Sequence, residues 1–171
     1  HPVVVVAETP DEEMTPIPLP GTAASRLDRP ADRDVFSFNG RSGQLVHLVC
    51  RSRSLDGTVS PILTVHGPEG RELIHSRAHQ AEPELALQLP ADGPYLVTVV
   101  DRGFQHDEGS VYALTLETGP RLQATAPSAI SGDTGQLLVL GHELPGGTVH
   151  PTTGLPSLKI TPDLKRGQWS W

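Results

Sequence analysis

The sequence predicts an all-β protein, an antiparallel β-sandwich with a short C-terminal β appendage. Three observations predict it. Apolar residues recur with period two, or in short runs closed by turn residues, and helical periodicity is almost absent. Gly and Pro number 17 each, which suits short strands joined by tight turns and weakens helix interiors. Apolar content is 36% and aromatic content only 4%, so Val, Leu, Ile and Ala must supply most of the core.

Taken in chain order, ETPDEEMTPIPLPG (8–21) holds four prolines and four acids. Pro cannot donate to a ladder, so this arm is expected to run extended over the surface and not to join a central strand. DVFSFNG (34–40) alternates and ends at Asn-Gly, and QLVHLVC (44–50) follows after Arg-Ser-Gly. SPILTVHGPEGRELIH (60–75) reads as strand, Gly-Pro-Glu-Gly turn, strand, a hairpin. PELALQLPADG (83–93) sets Leu85, Leu87 and Leu89 on one face before a Pro-Ala-Asp-Gly turn.

PYLVTVVDRG (94–103) is the strongest strand. Tyr95, Val97 and Val99 share one face, Leu96, Thr98 and Val100 the other, and two apolar faces belong at the centre of a sheet. SVYALTLETG (110–119) places Tyr112, Leu114 and Leu116 inward, with Val111, Ala113 and Thr115 opposite. A boundary falls near 117–129. Beyond it, GQLLVLGHELPGGTV (135–149) offers one strand and a Gly-Gly turn, and the Pro-punctuated tail has at most one more strand, at 157–160. About fifty residues are too few for a second immunoglobulin-type sandwich of about 100. No internal repeat is present.

The formal charge of −7 argues against nucleic acid, which needs a basic stripe. Charging all eight histidines brings the total to +1, so electrostatics should change strongly between about pH 7 and 5. No run approaches the roughly 20 apolar residues of a membrane span, and VVVV (3–6) is too short for a signal core. The chain begins at His1 and reads as a piece of something longer. Cys50 has no cysteine partner within the chain and is expected as a small buried apolar residue.

From Glu8 to Glu117 the order of signals resembles the bacterial pre-peptidase C-terminal domain. The matching stretches are ETPDE (8–12), LPG (19–21), DRDVFSF (32–38), SGQ (42–44), LPADGPYLVTV (89–99) and VYALTLE (111–117). The resemblance implies a secreted, non-catalytic, jelly-roll-like sandwich spanning residues 1–118, with 1–21 as its arm, similar to the collagen-binding modules of clostridial collagenases. GDTGQLLVLGHELPGG (132–147) is similar to the opening of an immunoglobulin-like module, so residues 119–171 are expected as a partial module of that kind or as a docked tail.

Some members of that family bind calcium through acids of the arm and of the loop before the D-x-F-x-F strand. By this resemblance Glu8, Asp11, Asp32 and Asp34 would be the ligands. Calcium takes six to eight oxygens at about 2.3–2.6 Å, which acids from two segments can supply. The arm here reads Glu-Thr-Pro-Asp where the family reads Glu-Pro-Asn-Asp, so an Asn carbonyl is missing. The alternative is an Asx-type turn built by Asp28, Asp32 and Asp34, with Arg29 and Arg33 as counter-charges.

Other constellations are weaker. Asp133-Thr134-Gly135 is the short signature of aspartic peptidases, which need two such loops; here a dimer would have to supply the second, and a Gly-rich turn is the simpler reading. His75 and His79 lie four apart, but RELIH reads as a strand and the HExxH glutamate is absent. His47 is expected as a solvent-facing or hydrogen-bonded strand histidine, Tyr95 and Tyr112 as core residues. Phe104 is either an exposed loop aromatic or a loop anchor. The expected function is a spacer, folding or adhesion unit of a larger exported bacterial protein, outside the cytoplasm, whose partners are the other domains of the parent chain. The alternative is a module that binds a polysaccharide or collagen-type ligand.

Overall fold

The computed structural model describes residues 3–5, 14–77, 82–104, 107–119, 121–126, 137–142, 144, 147–149, 156–163 and 168–170. The chain divides into two compact units, His1–Thr118 and Gly119–Trp171.

The first unit carries β1 (Val3–Val5), β2 (Thr15–Pro16), β3 (Gly21–Arg26), β4 (Arg33–Gly40), β5 (Leu45–Arg51), β6 (Pro61–His66), β7 (Glu72–His75), β8 (Glu84–Gln88), β9 (Gly93–Asp101) and β10 (Val111–Thr118). A single 3₁₀ turn, Arg53–Leu55, is the only helical element among the described residues. The strands form two five-stranded sheets, ordered β1-β3-β10-β5-β8 and β2-β4-β9-β6-β7. From β3 to β10 the chain changes sheet at every step except the β6–β7 hairpin, which gives the jelly-roll-like sandwich.

Period two sets what is inside. Tyr95, Val97 and Val99 of β9 and Tyr112, Leu114 and Leu116 of β10 are fully buried, and each strand lies at the centre of its sheet. Phe36 and Phe38 of β4, Leu63 and Val65 of β6, and Val46, Leu48 and Cys50 of β5 complete one core built from both sheets. Phe36 meets Tyr112 edge-on across the sheets, ring centroids 6.4 Å apart, and Phe38 stacks on Tyr95 at 5.3 Å. Such pairs add to what burial alone contributes. The β6–β7 hairpin closes through residues 67–71, where the Gly67 amide donates to the Arg71 carbonyl.

Four features depart from the sequence reading. Two pairs are parallel: β1 runs beside β3 and β2 beside β4. Both lie at sheet edges, where the arm can lean on a neighbour without supplying a full ladder of donors. β3, in GTAASR, is a strand whose Ala, Ser and Thr carry too little hydrophobic contrast to announce it; its Ala23 is nevertheless buried. His47 is buried within β5 between the ladders of β8 and β10, which removes the solvent-facing alternative for it and leaves the hydrogen-bonded one.

The fourth departure is in the second unit. It forms an antiparallel sheet of β11 (Arg121–Ala126), β12 (Leu137–His142), β13 (Thr148–Val149) and β14 (Pro156–Asp163), ordered β11-β12-β14-β13, with β15 (Gln168–Ser170) on β14. The boundary segment is thus itself a strand, and the tail holds more than one. Pro156 and Pro162 are tolerated in β14 because β12 pairs only with residues 157–160, leaving each proline outside that ladder.

Candidate functional site

The strands of the first unit deliver three loops to one end of the sandwich: 27–32 between β3 and β4, 52–60 between β5 and β6, and 102–110 between β9 and β10. β10 runs away from this end to Thr118. The loops are tied to one another by backbone bonds: Leu27 N–H to Ser110 C=O at 3.0 Å, Ala31 N–H to Phe104 C=O at 3.2 Å, and Thr58 N–H to Gly109 C=O at 2.8 Å.

Carboxylates hold each loop from within. Asp32 accepts the Asp28 amide on Oδ2 at 2.6 Å and the Arg33 amide on Oδ1 at 2.9 Å, with Arg29 Nε 3.6 Å from Oδ1. Asp101 accepts the amides of Ser60 and Gly103, each at 2.8 Å. Asp107 accepts the Thr58 hydroxyl at 2.7 Å and the Gly109 amide at 2.9 Å. The sequence reading missed Asp101 and Asp107. Their signal is there: Asp-Arg-Gly and Asp-Glu-Gly each place a carboxylate two residues before a glycine whose amide it accepts, the Asx-turn pattern.

Asp34 is different. It alternates with Phe36 and Phe38 on the inner face of β4, and its Oδ2 accepts the Ser25 hydroxyl at 2.9 Å and the Tyr112 hydroxyl through a short bond. It thereby links β4 of one sheet to β3 and β10 of the other. Burial pushes its pKa above the ordinary carboxylate value; the Tyr112 and Ser25 hydroxyls act against this, and the neighbouring Asp32 and Asp28 add to it. Burial likewise raises the Tyr112 phenol, with the Asp34 charge beside it, and the Cys50 thiol, which is held in its protonated, unreactive form.

Of the four residues considered for calcium, Asp32 and Asp34 lie at this end, whereas Glu8 and Asp11 lie outside the described residues. The oxygens of Asp32 accept the Asp28 and Arg33 amides, a local turn of the Asx type, whereas Oδ2 of Asp34 accepts the Ser25 and Tyr112 hydroxyls and takes no part in that turn. Among the described residues, no group of three or more His, Cys, Asp or Glu is placed to hold a metal ion. Asp133-Thr134-Gly135 and His79 lie outside the described residues. His75 is exposed, and its Nδ1 lies 2.7 Å from Glu72 Oε1. Phe104 is 59% exposed, so it is an exposed loop aromatic and not an anchor. Tyr95 and Tyr112 belong to the core.

Fold and loop end together define a class: a jelly-roll-like β-sandwich module with three loops gathered at one end. No family model matches the sequence, and no curated protein matches it. Among solved structures, the chain is similar to the pre-peptidase C-terminal domain of collagenase from Bacillus anthracis, with 19% identity over 64% of this chain and 99% of that domain and a TM-score of 0.50. It is also similar to PliG of Aeromonas hydrophila, a periplasmic inhibitor of g-type lysozyme, with 14% identity over 62% of this chain and 97% of that one, at a TM-score of 0.44. The first of these likenesses establishes the fold expected from the sequence resemblance. No described helix is long and apolar enough to cross a membrane.

Proposed function

We propose that the chain is a non-catalytic accessory module of a larger exported bacterial protein, working outside the cytoplasm as a spacer, folding or adhesion unit. The observation that carries this reading is the fold shared with the pre-peptidase C-terminal domain of a collagenase. The chemistry of the loop end supports it: the carboxylates of Asp32, Asp101 and Asp107 hold backbone amides, a task that fixes loops. The test is a hydrolase assay of the purified chain on casein and on peptidoglycan, with no turnover expected. Turnover lost in Asp133→Ala would replace this reading with a dimeric aspartic peptidase.

A carbohydrate- or collagen-type ligand-binding module is the second reading, and the exposed ring of Phe104 favours it. Binding to immobilised polysaccharides and to collagen peptides separates it from a plain spacer. Calcium stabilisation through Glu8, Asp11, Asp32 and Asp34 belongs to the first reading. A rise in Tm at millimolar calcium, abolished by Asp32→Ala, is the result that supports it, and an unchanged Tm removes it.

A further inference from the structure

The arm covers one side of the first unit's sandwich and leaves the other side bare. On the covered side β1 lies against β3 and β2 against β4. On the other side β8 ends one sheet and β7 ends the other, and no strand among the described residues pairs with either from outside.

The two bare edges differ. β7 has four residues, its pairing with β6 slips between Val65 and His66, and its Glu72 and His75 side chains lie 2.7 Å apart. Irregular register and charge are common protections against pairing with another chain. β8 lacks the irregularity and, beyond Glu84, the charge. It pairs with β5 in unbroken register from Glu84 to Gln88, and Leu85, Ala86, Leu87 and Gln88 are neutral.

The ladder fixes which backbone groups of β8 face outward. The Cys50 amide donates to the Pro83 carbonyl at 3.0 Å, and the Leu89 amide to the Gln44 carbonyl at 2.9 Å. Alternate residues of an antiparallel strand turn their N–H and C=O groups the same way. Residues 83, 85, 87 and 89 therefore turn theirs to β5, and the backbone groups of the exposed Ala86 and Gln88 point away from it. The core beneath this side is thinly covered as well. Of the partly buried apolar residues packed against it, Leu73 and Ile74 lie on β7 and Leu87 on β8.

From these we infer that β8 is a dimer edge, pairing antiparallel with β8 of a second copy of this chain about a two-fold axis at Leu87. A second copy is favoured because the edge is its own complement. In this register Ala86 of each copy lies opposite Gln88 of the other, and each such pair exchanges two backbone bonds. Leu87 meets Leu87 of the other copy in a non-hydrogen-bonded pair, where side chains come closest. The half-buried leucine thereby gains apolar cover. Glu84 falls opposite Pro90, so like charges do not face each other along the strand although each chain carries −7. A closed two-fold pair occupies this edge in both copies and leaves it unavailable for further addition. Dimerisation goes beyond the accessory reading and does not depend on it; the hydrolase assay tests that reading separately.

The experiment is sedimentation velocity on the full chain over a concentration series. A monomer–dimer equilibrium with a Kd of about 10–100 µM is expected, because one strand edge makes a small interface. Ala86→Pro removes an outward amide without touching the β5 ladder and should weaken the dimer about 10-fold or more, while Leu55→Ser, in the 52–60 loop, leaves it unchanged. Thermal melts verify that both variants stay folded. Leu87→Cys reads the register without a proline. Oxidation should cross-link its two copies, whereas Gln88→Cys, which lies opposite Ala86, should stay uncoupled. Cys50 is buried and does not compete. A monomer at every concentration overturns the proposal. So does a dimer indifferent to Ala86→Pro or lost in Leu55→Ser, or cross-linking through Gln88→Cys in place of Leu87→Cys. A monomer that selects peptides from a displayed random library, with selection lost in Ala86→Pro, also overturns it and assigns the edge to a foreign strand.

Discussion

The two ends of the first unit are built by different rules. At one end the turns 41–44, 67–71 and 90–93 follow local chemistry: Gly43, Gly70 and Gly93 occupy the positive-φ positions, at 79°, 75° and 138°. At the other end alanine, aspartate and phenylalanine take those positions, and carboxylates hold the chain in place. Each end also has an inward tyrosine. Tyr95 donates to the Ala91 carbonyl at 2.7 Å and so closes a turn, whereas Tyr112 donates to the Asp34 carboxylate and so joins two sheets. The difference teaches where the left-handed conformation is carried: by glycine at the turn end, where the Asp92 carboxylate also accepts the Ser42 amide at 2.7 Å, and by residues with side chains at the loop end, where Asp32 and Asp101 are buried.

The largest effect is expected at the turn end. Tyr95→Ala removes a fully buried ring stacked on Phe38 and should lower unfolding free energy by about 3–5 kcal/mol, measured by urea denaturation. At the loop end, Asp101→Ala leaves the amides of Ser60 and Gly103 without their acceptor. A loss of about 1.5–3 kcal/mol is expected, together with faster hydrogen exchange at those two amides. If Asp101→Ala is as stable as the wild type, the loop end does not rest on its carboxylates.

Asp34→Asn sharpens the contrast through pH. The folded-state pKa of Asp34 is raised, so the fold holds this proton more tightly than the unfolded chain does. The stabilisation is full below the unfolded pKa and is lost as pH rises through the folded one. The Tm of the wild type relative to Asp34→Asn should therefore be highest in acid and fall toward neutral pH; a difference constant with pH would refute the assignment. The smallest effect is at Ala31, exposed and at φ 59°. Ala31→Gly should stabilise by up to about 1 kcal/mol, since glycine adopts this conformation without strain. The expected gain appears as a raised urea midpoint.

Much of the sandwich was legible because alternation is a local property. The inward sets Tyr95, Val97, Val99 and Tyr112, Leu114, Leu116 follow from counting by two, and a central strand announces itself by two apolar faces. β3 was not legible, since Ala23 is inside only because β10 lies beside it. Nor were β11, flanked by Pro120 and Pro127, and the three-residue β15, whose strand state comes from their partners β12 and β14. At the loop end, Asp32 and Asp34 stood out by their spacing, but their roles did not. Asp34 faces Ser25 and Tyr112, and Tyr112 is 78 positions away along the chain.

By itself the sequence determined the all-β class, which side chains are buried, and where most turns fall, because pleat and turn chemistry act over two to four residues. Only the tertiary structure decided that the arm pairs in parallel at both sheet edges, and that acids from distant segments converge beneath three loops. Those outcomes depend on which strands lie side by side, and that is fixed by long-range packing of the two sheets, which no short stretch of sequence encodes.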